Sequence, residues 1–512
     1  MRYGTPIATL VLVQSVILWR GKRLLQNNIL FTPALPQAYY AHGNASEQCV
    51  APQVDGLQYC EDAVFWDVHA HPEGPVTQRR VLVTCDAGRK AWNTVMGPMH
   101  DPAPKGSLWV IMGEGEAGWA GAVPVRLTLD GYPPEHDFHP LGLDISPSIN
   151  GGASTLFVVN HARDRTCVEQ FSVSPAAPTV ATHVRTLDSP HFISANSLAL
   201  TSPASFFVTN DHRFTRRLPF PLNHVLPIAE SVLSLPLGWA AHVRVDEAHD
   251  KVEQAQGRLD GYHRIGRLES AAVAAHPIAA PNIPFPNGIA LSPARDTVAI
   301  SSTTSAEIWL YKVAGSSATE TAFTGPGESP DSTASDQYTA FDSSSAAPLD
   351  KSLAFDNLIF EDRIPLPFLP DNIAYTDDGS LIVAGHPNFP NLAALAGGGT
   401  TPAGSWVVRV ARRASNESAT PVESASFAES ATPVDSAGRV ESAVPTDSDN
   451  APVDANHYTP PHSRFIITTL YQSDGSHFQS STTGLYDART GGLIITGLYA
   501  DPGVLLCAPL SR

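Results

Sequence analysis

The chain has 512 residues, 43% of them hydrophobic and 16% charged, with 44 Pro, 37 Gly and a formal net charge of −18. That acidity, without a dense Lys/Arg cluster, excludes a nucleic-acid surface, which binds by releasing phosphate counterions. The Pro and Gly content favours short strands joined by many turns, and no long amphipathic helix follows the N-terminus.

The apolar run from Pro6 to Trp19 is interrupted by Gln14 and Ser15 and ends at Arg20, Lys22 and Arg23. It is shorter than the ~20 residues a bilayer span needs, so residues 1–27 are expected to be a secretory signal or a retained hydrophobic anchor. This end would permit peripheral membrane association. Residues 28–48 read as an extended lead-in. Asn44 and Asn416 open Asn-x-Ser triplets and are glycosylation acceptors by pattern. The five cysteines, Cys49, Cys60, Cys85, Cys167 and Cys507, are an odd set that leaves at least one unpaired.

From residue 60, CEDAVFWDVH and RRVLVTCD read as two strands, and SLWVIMG with VPVRLTL as a further hairpin. A Pro/His-rich mouth loop at 131–146 enters a strand, and STLFVVNH closes at His161. HFISANSLAL and SFFVTNDH form the next pair, with Asn196 at the entrance of the first. The stretch LPFPLNHVLPIAESVLSLPLGW at 218–239 suits either a lid over an apolar acyl group or membrane, or a buried helix. FPNGIALSPARDTVAI at 285–300 and FLPDNIAYTDDGSLIVAGHP at 368–387 share one grammar: polar residues before a strand, an Asp-bearing turn, a second strand. The runs LWVIMG, LFVVNH, FFVTND, TVAISS, SLIVAG and GLIITG each end in a small or polar residue and imply about six radial units. An all-β, six-bladed β-propeller is expected over 41–512, with an irregular sandwich as the alternative. Two segments fall outside this pattern, 312–346 and the Ser/Thr/Pro/Glu-rich 412–460. They are expected to be low-complexity surface insertions too poor in apolar residues to offset chain ordering.

Glu61, Asp62, Asn196, Asn287, Asp371 and Asn372 are hard oxygen donors at strand entrances scattered along the chain. Calcium takes six to eight such oxygens and accepts amides beside carboxylates. Singly, each residue also reads as a turn cap. His136, His139, His161, His212 and His386 lie at inferred loop mouths. There is no Gly-x-Ser-x-Gly elbow and no His-Glu-x-x-His, which excludes hydrolases built on those signatures.

At these residues the chain resembles the serum paraoxonase/arylesterase family. The resemblance is carried by LFVVNHARDRTCVEQF, FFVTNDHRF, FPNGIALSP, LPDNIAYTDDGSLIVAGHPN, VAISSTTSAEIWLYKV and the terminal TTGLYDARTGGLIITGLYADPGVLLCAPL. It implies a secreted six-bladed propeller that uses calcium to hydrolyse aryl esters and lactones. It implies a catalytic calcium on Glu61, Asn196, Asn287, Asp371 and Asn372, with Asp62 on a second, structural calcium. It also implies a disulfide between Cys49 and Cys507, a catalytic role for His161, and His386 and Asp211 as pocket residues. Two residues depart from the family pattern. Leu141 stands where the family has a catalytic histidine, so the base is expected to be His161 or nearby His139, with His161 favoured by its VVNH context. Ser197 replaces a carboxylate of the structural calcium. The alternatives are a propeller of the same family with little hydrolysis that acts in binding, and a sugar-lactone hydrolase.

Overall fold

The computed structural model describes residues 48–101, 103, 105–113, 118–245, 271–314, 354–413, 457–458 and 464–509, with scattered positions between 11 and 19. Most of the N-terminal segment, Asn44 and Asn416, and most of both expected insertions lie outside the described residues. The insertion boundaries nevertheless shift. Lys312 lies within the strand Glu307–Ala314, and Arg412 ends the strand Ser405–Arg412.

The strands form a six-bladed β-propeller of mainly antiparallel blades, the second and third being joined into one ten-stranded sheet by a parallel pairing of Ala177–Asp188 with Ala271–Ala275. The innermost strands, in chain order, are Cys60–His69, Pro140–Ile145, Ala195–Ser202, Pro286–Leu291, Leu369–Tyr375 and Ser481–Asp487. Each touches the next, and the last touches the first, so they close a ring around a central axis. The second strands are apolar along most of their length, because blades cover both their faces; in Val76–Cys85 that holds only from Val81 on. Ser205–Asn210 (SFFVTN) and Leu381–His386 (LIVAGH) are buried almost end to end. Six hydrophobic clusters fill the six spaces between adjacent blades. Between the second and third blades, for example, Phe157 meets Phe206 with ring centroids 4.9 Å apart.

Five of the six apolar runs singled out in the sequence are second strands of successive blades. The exception is LWVIMG, which is the third strand of the first blade, Ser107–Met112; the second strand there is Val76–Cys85.

The ring is closed by its own ends. Cys49–Val50 pairs with Val504–Cys507 as the outermost strand of the sixth blade, and Cys49 is disulfide-bonded to Cys507 across 458 residues of chain. Cys60 and Cys85 face each other on neighbouring strands and form a second bridge, leaving Cys167 free and buried. A bridge spanning so long a loop removes much freedom from the unfolded chain. Replacing Cys49 and Cys507 by Ser is therefore expected to cost about 2–5 kcal/mol of unfolding free energy, read from denaturant titration of the variant. A pair of structural disulfides is characteristic of an extracellular or secretory-pathway protein. Among the described residues no helix is long and apolar enough to cross a membrane.

Candidate active site

Every inner strand breaks register once near its start. The breaks lie between Cys60 and Asp62, Pro140 and Leu143, Ala195 and Leu198, Pro286 and Ile289, Pro370 and Ile373, and Ser481 and Gly484. A bulge leaves a residue outside the ladder and re-aims its side chain. Glu61, Leu141, Asn196, Asn287, the pair Asp371–Asn372, and Thr482–Thr483 stand at these breaks. The polar residues thus lie inside strands at bulges, not ahead of strands as the sequence grammar implied.

Close approach of neighbouring inner strands makes this arrangement tight. A Cβ added at Gly288 would lie 2.6 Å from Asn372 Cα and 2.8 Å from the Asp371 carbonyl oxygen. Gly288→Ala should therefore push these two inner strands apart. The expected cost is about 1–3 kcal/mol of stability, typical of overpacking, read from denaturant titration of the variant.

The side chains at the bulges are buried, and four of their oxygens lack any hydrogen-bond partner: Glu61 Oε2, Asn196 Oδ1, Asn287 Oδ1 and Asn372 Oδ1. Their other polar atoms show why those oxygens stay unpaired. Asn372 Nδ2 donates to Glu61 Oε1 at 3.1 Å and to Thr483 Oγ at 3.0 Å, while Asn196 Nδ2 donates to Asp211 Oδ2 at 3.1 Å. Asn372 and Asn196 are thus each held by the amide nitrogen. Burial, reinforced by the Asp62 and Asp371 carboxylates, pushes the Glu61 carboxyl well above its usual pKa. Unpaired buried oxygens beside crowded carboxylates are costly unless a cation satisfies them. The donor set, two carboxylates and three amides counting Asp371, fits calcium.

Asp62 differs. Its Oδ1 accepts from Ala63 N and Thr483 Oγ, both at 2.8 Å, and its Oδ2 accepts from Leu143 N at 3.2 Å. Burial pushes its pKa to about 7. Donors from the protein itself already satisfy it, so it does not share the feature that marks the central set.

Above these oxygens opens a cavity of about 530 Å³. The second strands deliver further polar residues to its wall, because their ends lie on the same face as the inner-strand starts. His161, Asp211 and His386 arrive this way, and Asp86, at the end of the first such strand, stands behind His139. Two short helices border the mouth, α1 (Leu222–Val232) and α2 (Phe389–Ala396). Ile228, Val232, Phe389 and Leu392 give the wall an apolar character. The stretch at 218–239 is therefore a helix over the cavity rather than a buried helix, and its Leu222 and Val225 are exposed.

The histidines divide by their partners. His139 is fully buried, its Nδ1 lies 2.9 Å from Asp86 Oδ2, and its Nε2 has no partner. A carboxylate only accepts, so Nδ1 keeps its proton and donates it in this hydrogen bond, which leaves Nε2 as a free lone pair in a residue that lines the cavity. His161 also lines the cavity, but its Nδ1 is 2.7 Å from Thr94 Oγ and its Nε2 is 2.7 Å from the Ala195 carbonyl. Burial, with Arg217 nearby, lowers its pKa to about 3. Both of its nitrogens are engaged. His386 Nε2 donates to Asp371 Oδ2 at 2.8 Å and so orients a candidate ligand. His136 does not reach the cavity. It pairs with Glu169 at 2.8 Å beside Cys167 in a separate buried cluster. Leu141, at the second-blade bulge, belongs to the hydrophobic cluster between the second and third blades.

The sequence reading missed Asp86 and Thr94. Asp86 follows the strand-final Cys85, and that strand-end position was its only signal.

Comparison with known proteins adds to this geometry. Residues 120–247 match the family model described as Arylesterase. The arylesterase match spans the second blade and most of the third, including His139, Leu141, His161, Asn196 and Asp211. No curated protein matches the chain. Solved structures similar to it include a gluconolactonase of Xanthomonas campestris, at 12% identity over 93% of this chain and 97% of that one, with a TM-score of 0.34. A luciferin-regenerating enzyme is 10% identical over 88% and 96%, with a TM-score of 0.35. A putative gluconolactonase is 9% identical over 92% and 93%, with a TM-score of 0.34. Identities and TM-scores this low do not bear on the chemistry of this chain. The arylesterase match supports an ester or lactone hydrolase at the level of the family.

Proposed function

We propose that this protein is a secreted, calcium-dependent hydrolase of aryl esters or lactones, with Glu61, Asn196, Asn287, Asp371 and Asn372 holding the ion. The observation that carries this reading is the set of four unpaired buried oxygens at the foot of the cavity. When bound, calcium would supply Lewis-acid polarisation of the substrate carbonyl. The chain's own residues do the rest. The apolar wall formed by α1 and α2 holds the organic part of the substrate and limits water. His139 Nε2 takes the proton of the attacking water, and Asp86 fixes the tautomer and stabilises the imidazolium that forms. His386 keeps Asp371 turned towards its task. Leu141 supplies apolar surface where the family's histidine would stand, and His139 assumes that histidine's role from two residues away.

The test is turnover of a panel of aryl esters and lactones by the purified full chain, with calcium and with a chelator. Turnover that chelation abolishes and calcium restores supports the reading. Calcium binding by calorimetry without turnover of any ester or lactone would leave a calcium-binding propeller and overturn it.

A further inference from the structure

The second blade holds a buried cluster that takes no part in the cavity. Behind its innermost strand run Ser154–Asn160, Cys167–Ser174 and Ala177–Asp188. Cys167 and Glu169 stand two apart on one strand, so their side chains share a face. Cys167 is paired with Asn160 on one neighbour, and Glu169 with Thr186 on the other. A register break beside His183 lets that residue reach the same carboxylate. The mouth loop that leads into Pro140 adds His136. Cys167, Glu169 and Asn160 are fully buried, and His136 is nearly so.

Three atoms of different chemistry converge here. His136 Nε2 lies 2.8 Å from Glu169 Oε1, Cys167 Sγ lies 3.4 Å from that oxygen, and Sγ lies 3.9 Å from Nε2. Hydrogen bonding alone does not require the thiol to be there. His136 and Asn160, both at 2.8 Å, already fill the two lone pairs of Oε1. The other oxygen, Oε2, accepts from His183 at 3.1 Å and from Thr186 Oγ at 2.6 Å, which fixes the plane of the carboxylate. Zinc bonds to sulfur at about 2.3 Å and to nitrogen or oxygen at about 2.0–2.2 Å, so a tetrahedral site has edges of about 3.3–3.6 Å. The three separations come within about 0.5 Å of those edges. The thiol selects the metal: calcium takes oxygen ligands, whereas zinc accepts thiolate, imidazole and carboxylate together.

We propose that His136 Nε2, Cys167 Sγ and Glu169 Oε1 bind a zinc ion that ties the mouth loop to the strands of the second blade. On binding, the thiol gives up its proton to solvent, and the imidazole proton moves from Nε2 to Nδ1. The thiolate and carboxylate then balance the charge of the ion. The fourth position falls to water or to the Tyr132 hydroxyl, 3.4 Å from Glu169 Oε1. His183 and Thr186 act behind the ligands by holding Glu169 in place. The loop also carries His139, whose backbone N–H donates to Asn160 Oδ1. The zinc site does not depend on the ester or lactone reading.

The experiment is metal titration of the full chain in saturating calcium, after zinc has been stripped with a chelator. The native chain should retain one Zn²⁺ after dialysis, counted by elemental analysis. Loaded with Co²⁺ instead, it should show the near-ultraviolet thiolate-to-cobalt charge-transfer band, which an all-oxygen calcium site cannot give. Cys167→Ser, nearly the same size, should lose that band. His183→Gln should keep the band but bind zinc ~10–100-fold more weakly, the usual cost of losing a residue behind a ligand. Glu61→Gln should leave the cobalt spectrum as it is. A folded native chain that gives no charge-transfer band with Co²⁺ overturns the proposal, whatever the variants do. So does zinc that Cys167→Ser holds as tightly as the native chain, or zinc that is lost in Glu61→Gln and kept in Cys167→Ser.

Discussion

Glu61→Gln should bind calcium on the order of 10²-fold more weakly than the native chain, or worse, since even loss of a residue behind the ligands costs ~10–100-fold. Glu61 Oε2 is buried and unpartnered, and its carboxyl is pushed up by burial and by Asp62 and Asp371. Glutamine keeps the shape and one oxygen but removes a charge that the cation needs. The same charge is a burden when no cation is present. Stability should therefore cross over. In chelator, Glu61→Gln should melt at or above the native temperature, because a crowded buried acid has gone. In calcium it should melt below it, because the native chain gains the linkage stabilisation and the variant gains little. Calorimetry and thermal melts in both buffers check the two halves separately. Unchanged affinity would remove Glu61 from the site, and a variant less stable in both buffers by the same margin would mean that Glu61 is structural.

How far the sequence could lead is clearest at these same residues. The strand grammar of 285–300 and 368–387 was legible because apolar alternation and Asp-bearing turns are local. Oxygen donors of the right type were legible for the same reason. The bulges that aim them were not, since a bulge is a property of two strands in register, and Asn287 looks alike before a strand or within one. The pairing of His139 with Asp86 joins residues 53 apart, so the VVNH context drew attention to His161, whose nitrogens prove to be engaged. The Cys60–Cys85 bridge was likewise hidden, because it needs the register of the first two strands of one blade. Asp62 sits next to Glu61 in sequence and shares its chemistry, but successive side chains on a strand point opposite ways. It meets the Leu143 amide in place of the unpaired oxygens.

His139→Gln should lower kcat/KM by ~10²–10⁴-fold, the usual loss when a positioned base is removed, while leaving calcium affinity unchanged. The split between the two readouts is the point of the experiment, because His139 contributes nothing to the oxygen set at the axis. Asp86→Asn should follow in the same direction. Asparagine can present an N–H to Nδ1, which would shift the ring proton to Nε2 and turn the base away from water. His161→Gln should cost far less. Its Nε2 donates to the Ala195 carbonyl, its Nδ1 faces the Thr94 hydroxyl, and burial holds the ring neutral, so it has no free lone pair to offer. His386→Gln should instead weaken calcium binding, since it releases Asp371. If His161→Gln abolishes turnover with calcium still bound and His139→Gln does not, the base is His161. The engaged hydrogen bonds around it would then have to rearrange when substrate enters.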